Sequence, residues 1–177
     1  MNLIVTNNTI DTILHSFQLE LGKNYVSYRN HVYRVYNFSL PFVNSEEDTE
    51  KIATAAAFHD IGIWTNKTLD YLKPSAELAK AYCRKQHFNN SVTEEIEFII
   101  DNHHKLSRVK SSNLAEIFRK ADLTDLTFGL LSKEYTKEDI RTIRNVFPNK
   151  GFHLFLIKLF FKNLITNPLH PFPIFKL

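Results

Sequence analysis

Only four glycines and six prolines occur in the 177 residues, and the stretch from Ser75 to Phe128 contains neither. A many-turned β architecture needs such residues at its corners, since glycine takes positive φ without strain and proline pre-sets the turn. The chain is therefore expected to be all-α. Apolar residues recur at three-and-four spacing between cap and stop signals, which predicts about seven or eight helices. The first runs from Ile10 to Leu21 before Gly22, and the second from Tyr25 to Leu40 before Pro41. Ser45 with Asp48 caps a third, carrying Ile52, Ala55 and Ala56 to His59 before Gly62. A loop is expected from Ile61 to Lys73, with Pro74-Ser75 opening a helix toward Phe88. Ser91 and Glu94 form a capping-box pattern for a helix to His104, and Leu114, Ile117, Phe118 and Ala121 stripe another that continues to Phe128. Thr136 and Asp139 cap a helix to Phe147, Pro148 to Gly151 makes a turn, and an aromatic-rich helix follows. The tail holding Pro168, Pro171 and Pro173 is expected to be extended. Length and ordinary composition, 44% apolar and 23% charged, fit one domain over 1–177, with 148–177 packed on the rest.

The composition also excludes several classes of function. A net charge of +3, with dispersed basic residues, argues against a nucleic-acid polymer as partner. Cys83 has no disulfide or thiolate partner, which points to a reducing compartment. The N-terminus lacks the basic start and long apolar run of an export signal, so a cytoplasmic location is expected. The most apolar segment, Phe152 to Phe161, is too short to span a bilayer, and no membrane association is expected. That segment is expected to be buried within the domain, with a helix shared between the subunits of a homodimer as the alternative.

Certain polar residues fall where apolar ones belong. His31 continues the face set by Tyr28, Val32 and Val35. His59 continues that of Ile52, Ala55 and Ala56, and Asp60 extends Ala53, Ala56 and Ala57. Asp122 lies four residues after Phe118, and Asp125 four after Ala121. A carboxylate withdrawn from water must be paired, fully hydrogen-bonded or bound to metal. Taken singly, each has a structural explanation: an inward histidine can donate to a carbonyl, and Arg34, Arg119 or Lys120 could neutralise Asp122. Four such residues, His31, His59, Asp60 and Asp122, on three separate helices point instead to one shared divalent cation. Two imidazoles with two carboxylates suit Mn, Fe, Co, Ni, Zn or Mg.

The run Ala55-Ala56-Ala57-Phe58-His59-Asp60-Ile61-Gly62, with His31 before it and Arg119-Lys120-Ala121-Asp122 after it, resembles the ordered H…HD…D signature of the HD phosphohydrolase superfamily. The signature region covers 25–128. The resemblance implies an all-helical bundle, a metal held by His31, His59, Asp60 and Asp122, and most often hydrolysis of phosphate esters of nucleotides or related metabolites. Further stretches, among them Phe147-Pro148-Asn149-Lys150-Gly151-Phe152-His153, resemble a subgroup of uncharacterised microbial HD-domain proteins. Ile63 and Trp64 stand where the cyclic-dinucleotide phosphodiesterase branch carries a lysine, which weakens that resemblance. His87, His103 and His104 fall in the order in which two-metal HD enzymes place additional ligands, so a second metal is allowed.

The expected chemistry is attack of an activated water on a small phosphate ester, with Asp60 central to it. Arg34, one turn from His31, is a candidate clamp for phosphate charge, as are Lys67 and Lys105. His103 or His104 could protonate the leaving oxygen, and Asp125 or Asp70 could orient a water or ligand. Trp64, Tyr71 and Phe128 could line a pocket, although core filling is the ordinary role of such rings. The alternatives are a di-iron oxygenase, a hydratase or lyase, or a non-catalytic metal- or nucleotide-binding module.

Overall fold

The computed structural model describes residues 2–167. Among them there is no strand, and eight helices of nine residues or more carry the architecture. In chain order these and two single turns are α1 (Asn8–Ser16), α2 (Gln18–Leu21), α3 (Tyr25–Ser39), α4 (Glu46–Phe58), α5 (Gly62–Thr65), α6 (Leu72–Lys85), α7 (Asn90–Asn102), α8 (Asn113–Leu126), α9 (Lys137–Val146) and α10 (Phe152–Thr166).

The helices begin where side-chain oxygens satisfy otherwise orphaned N–H groups. Asn7, Ser45, Asn89, Ser112 and Thr136 each accept a backbone N–H as N-caps, each worth about 1 kcal/mol. At α9 Asp139 returns the favour to Thr136, completing a capping box. Glu46, Glu47 and Asp48 in the first turn of α4 complement its dipole. At the other end of α4 its carbonyls are capped by side chains: the His59 ring donates to Ala56 O and the Tyr28 hydroxyl to Ala57 O.

Helix α3 is the axis of the bundle. It is buried nearly all round, lies against α4 and α8, and has α7 packed on the far side of that pair. The alanines of α4, fully buried, keep that helix slim enough for α1, α3, α6, α7 and α8 all to approach it.

Several sequence expectations need correction. The first expected helix is two, because Phe17 leaves helical geometry between α1 and α2 and sets its ring edge-on to Phe58. The loop from Ile61 to Lys73 contains the turn α5, and α6 starts at Leu72. Pro74 is thus its third residue, where no intrahelical N–H is required. Asn89 caps α7 in place of Ser91, which lies inside the helix. Helix α8 stops at Leu126, and Phe128 takes a left-handed φ of 56° just beyond it. The expected burial of Phe152 to Phe161 holds only for its start: Phe152 and His153 are buried, whereas Leu154, Ile157 and Phe161 are exposed. The proline-bearing tail lies outside the described residues.

Gly62 is demanded by close approach. A Cβ there would sit 2.7 Å from Tyr71 O and 3.0 Å from Ser75 Oγ, the hydroxyl that accepts the Gly62 N–H. This contact seats the start of α6, and with it Tyr71, against the end of the His-Asp helix. Gly62→Ala is expected to cost about 1–3 kcal/mol, read by urea denaturation; an unchanged midpoint would show that the contact relaxes freely.

Candidate metal centre

Four helices deliver side chains to one buried point. His31 comes from the middle of α3, His59 and Asp60 from the end of α4, His103 and His104 from the end of α7, and Asp122 from α8. His31, His59, Asp60, His103 and Asp122 are each at most 2% exposed. His31, His59 and Asp60 offer three ligand atoms all within 4.8 Å of one another, and Asp60, His103 and His104 offer a second such set.

Asp60 joins the two sets. Its Oδ2 lies 3.6 Å from His31 Nε2 and 3.5 Å from His59 Nε2, while its Oδ1 lies 3.4 Å from His103 Nε2 and 4.0 Å from His104 Nε2. Asp122 faces both in the same manner. Its Oδ1 is 3.6 Å from His31 Nε2 and 3.8 Å from His59 Nε2, and its Oδ2 is 3.7 Å from His104 Nδ1. Donors about 2.1 Å from one ion stand about 3.0–3.5 Å apart, so the first set needs little adjustment to hold a cation.

The hydrogen bonds around the rings prepare lone pairs for it. His31 Nδ1–H donates to Asp125 Oδ2 at 2.7 Å, His59 Nδ1–H to Ala56 O at 2.8 Å, and His103 Nδ1–H to Ile100 O at 2.7 Å. Each Nε2 is thereby left as an acceptor aimed inward. The Nε2 atoms of His31 and His59 meet at 2.9 Å, a spacing that two lone pairs accept only with a proton or a cation between them. Asp60 Oδ1, both oxygens of Asp122 and His103 Nε2 are buried without a hydrogen-bond partner. The bases that could have neutralised Asp122 are engaged elsewhere: Arg119 with Glu116, Lys120 with Glu134 and Arg34 with Asp125. The donor set therefore fits a divalent ion at His31, His59 and Asp60 and another at Asp60, His103 and His104, whereas Asp122, the expected fourth ligand of the first, lies beside both sets without sharing the mutual spacing of either.

Charge balance points the same way. Burial pushes Asp122 upward, whereas Asp60, also raised by burial, is held well below the ordinary carboxylate value by His59, His103 and His31. Two like charges in one dry site cannot both ionise cheaply without added positive charge. Burial would lower the His31 imidazole, but its bonds to Asp125 and Asp60 raise it to about 9. Burial and the neighbouring cationic rings lower His59 to about 3, and burial with His103 lowers His104.

Asp125 anchors the centre from behind. Besides His31 it takes Arg34 Nε at 2.6 Å and Nη2 at 2.8 Å, and Arg144 Nη1 at 2.7 Å. The remaining Arg34 nitrogen donates to Phe147 O. Arg34 is thus wholly buried in a forked ion pair and does not face a phosphate, contrary to the expected clamp. Asp125 orients His31, an imidazole, where a water or ligand was expected. His87 is exposed at φ 58°, closing α6 through His87 N–H to Arg84 O and Phe88 N–H to Cys83 O. It is a helix-stop residue, remote from the ligand sets. Lys67 and Asp70 are exposed in the turn before α6, and Lys105 is half-buried just after His104.

The sequence assigns Phe152 and His153 no role in the site, and marks Tyr71 there only as a pocket-lining ring. The Tyr71 hydroxyl lies 2.7 Å from His104 Nε2. Phe152 stacks on the His31 ring at 4.1 Å. His153 Nε2–H donates to Asp125 O. Only the resemblance over Phe147 to His153 marked that last region; Tyr71 reads as ordinary core.

A family model described as HD domain matches residues 28–127, more than half of the chain. No curated protein and no solved structure matches it significantly.

Asp125→Asn leaves two guanidinium groups short of their carboxylate. It is expected to cost about 3–5 kcal/mol of stability and about 10–100-fold in metal affinity, measured by denaturation and calorimetric titration. A variant matching the parent in both would show that His31 needs no such support. In the metal-free protein the raised His31 value means that its proton stabilises the fold fully below the ordinary imidazole value of 6.5, and that this contribution fades as pH climbs through about 9. The same proton competes with a cation, so affinity should climb by about tenfold per pH unit up to that pH and then level. A flat affinity profile contradicts this.

Proposed function

The chain belongs to the HD-domain family, and we propose that it is a metal-dependent phosphohydrolase acting on a small phosphate ester, a nucleotide or related metabolite, with two divalent cations. The observation that carries this reading is the pair of carboxylates, Asp60 and Asp122, each turned with one oxygen toward His31 and His59 and the other toward His103 or His104. Phosphate esters demand positive charge on both the attacking and the leaving side of phosphorus.

Divalent cations held here supply Lewis acidity toward phosphate oxygens and bring the pKa of water toward neutrality. The protein's own groups do the rest. Asp60 Oδ1 and both oxygens of Asp122, buried without a hydrogen-bond partner, are available to hold the positive charge in place. Asp125 fixes the His31 ring through Nδ1, and the Ala56 and Ile100 carbonyls fix His59 and His103. His104 is the least buried ring of the cluster, which makes its side the approach for substrate. Its contact with the Tyr71 hydroxyl leaves that hydroxyl beside the approach as a hydrogen-bond partner for a substrate oxygen. With Arg34 committed to Asp125, Lys105, next in the chain and half-buried, is the base proposed to meet phosphate charge.

Metal analysis followed by a phosphate-release screen over a metabolite panel, with Mn, Co, Ni and Mg supplied separately, tests the proposal. The parent should bind about two ions per chain, and His103→Ala about one. Asp60→Ala should lose most of both together with all phosphate release. Activity surviving in Asp60→Ala rules the mechanism out. Two irons per chain with no phosphate release from any substrate would move the assignment to oxygen chemistry.

A further inference from the structure

Helix α10 starts at the metal centre and ends with an apolar face open to solvent. Phe152 rests on His31, and Phe155 stacks on Trp64 at 5.3 Å. The opposite side carries Leu154, Ile157, Phe161, Leu164 and Ile165, exposed by 56%, 51%, 59%, 40% and 80%. At 3.6 residues per turn these five fall on one continuous arc. Phe128, half-exposed, meets His153 at 4.3 Å at the base of the helix, with the Arg144 guanidinium over its ring. A monomeric protein surface rarely shows so many large apolar side chains together without an occupant.

Charge selects the occupant. From Ile140 to Leu177 the sequence contains no aspartate or glutamate, while Arg141, Arg144, Lys150, Lys158, Lys162 and Lys176 all fall there. Lys158 and Lys162 are exposed and, four residues apart, line one flank of the apolar arc beside Leu154 and Ile165. A second copy of α10 would bring the same lysines and no acid to meet them. An anionic lipid surface meets both features at once, taking the apolar arc between its acyl chains and the ammonium groups among its headgroups, with the lysine stems reaching upward. With fifteen residues, α10 is too short to cross a bilayer, so it would lie along the surface.

We propose that α10 is an interfacial anchor that docks the protein on an anionic lipid bilayer. This contact is independent of which substrate the metal centre takes. It revises the expectation of no membrane association, which rested on the absence of a spanning segment alone.

The test is flotation of the full chain with vesicles of phosphatidylcholine, with and without about one-third phosphatidylserine. Recovery with the anionic vesicles should exceed that with neutral ones by about tenfold at low salt and fall as salt screens the lysines. Ile157→Asp with Phe161→Asp should abolish binding while helicity and metal content stay as in the parent. Lys158→Ala with Lys162→Ala should weaken it and flatten its salt dependence, and decides the matter alone if the aspartate variant misfolds. Absence of binding to both vesicle types overturns the proposal, as does binding that the lysine variant leaves unchanged. A concentration-dependent dimer, dissociated by the aspartate substitutions and indifferent to lipid, overturns it in favour of a second copy.

Discussion

Six ionisable side chains, His31, His59, Asp60, His103, His104 and Asp122, are withdrawn from water around one point. Taken without further charge, that arrangement is expensive: two carboxylates repel, and lone pairs of facing rings have nothing between them. It becomes favourable once a dication shares the space. The interior of this fold is thus built around an electrostatic debt, and the helices that meet there are arranged by what each must contribute. Helix α3 supplies a ring from its middle, α4 and α7 supply theirs at their C-terminal ends, and α8 supplies its carboxylate from within.

A second buried charge network makes that arrangement rigid. Asp125 lies one turn from Asp122 on α8 and binds His31 and Arg34 of α3, Arg144 of α9, and through its carbonyl His153 of α10. Arg34 in turn reaches Phe147 O, and Asn30 donates to Pro148 O. Asp125, by its carboxylate and its carbonyl, therefore ties the C-terminal helices to the first half of the chain and holds an imidazole of the candidate metal centre in its tautomer. Stability and site geometry cannot be separated at this residue. Since Phe152 lies flat on His31, whatever surface α10 meets is one helix away from the chemistry.

Much of this is legible in the sequence alone. The all-helical class follows from the scarcity of turn residues, and the caps at Ser45 and Thr136 follow from their spacing to Asp48 and Asp139. The inward positions of His31, His59, Asp60 and Asp122 follow from three-and-four periodicity. Misreadings came where two residues could play one part. Asn89 and Ser91 are both able caps, and only the geometry of the chain leaving α6 chooses Asn89. Arg34 was read by its distance from His31 along the helix, a measure that says nothing of a carboxylate ninety-one positions away. The aromatic run of α10 has the composition of a buried helix, but hydrophobicity alone does not say whether a neighbour exists to cover it.

What the sequence determined by itself is local: which segments wind into helices and which side chains turn inward, because these depend on neighbours within a few residues. Which inward groups would meet was left to the tertiary structure. The division of Asp60 between two sets of rings, the capture of Arg34 by Asp125, the arrival of Tyr71 at His104 and the exposure of α10 all depend on packing between distant segments. Their energies come from charges and rings brought close by the fold, and no periodicity along the chain records that proximity.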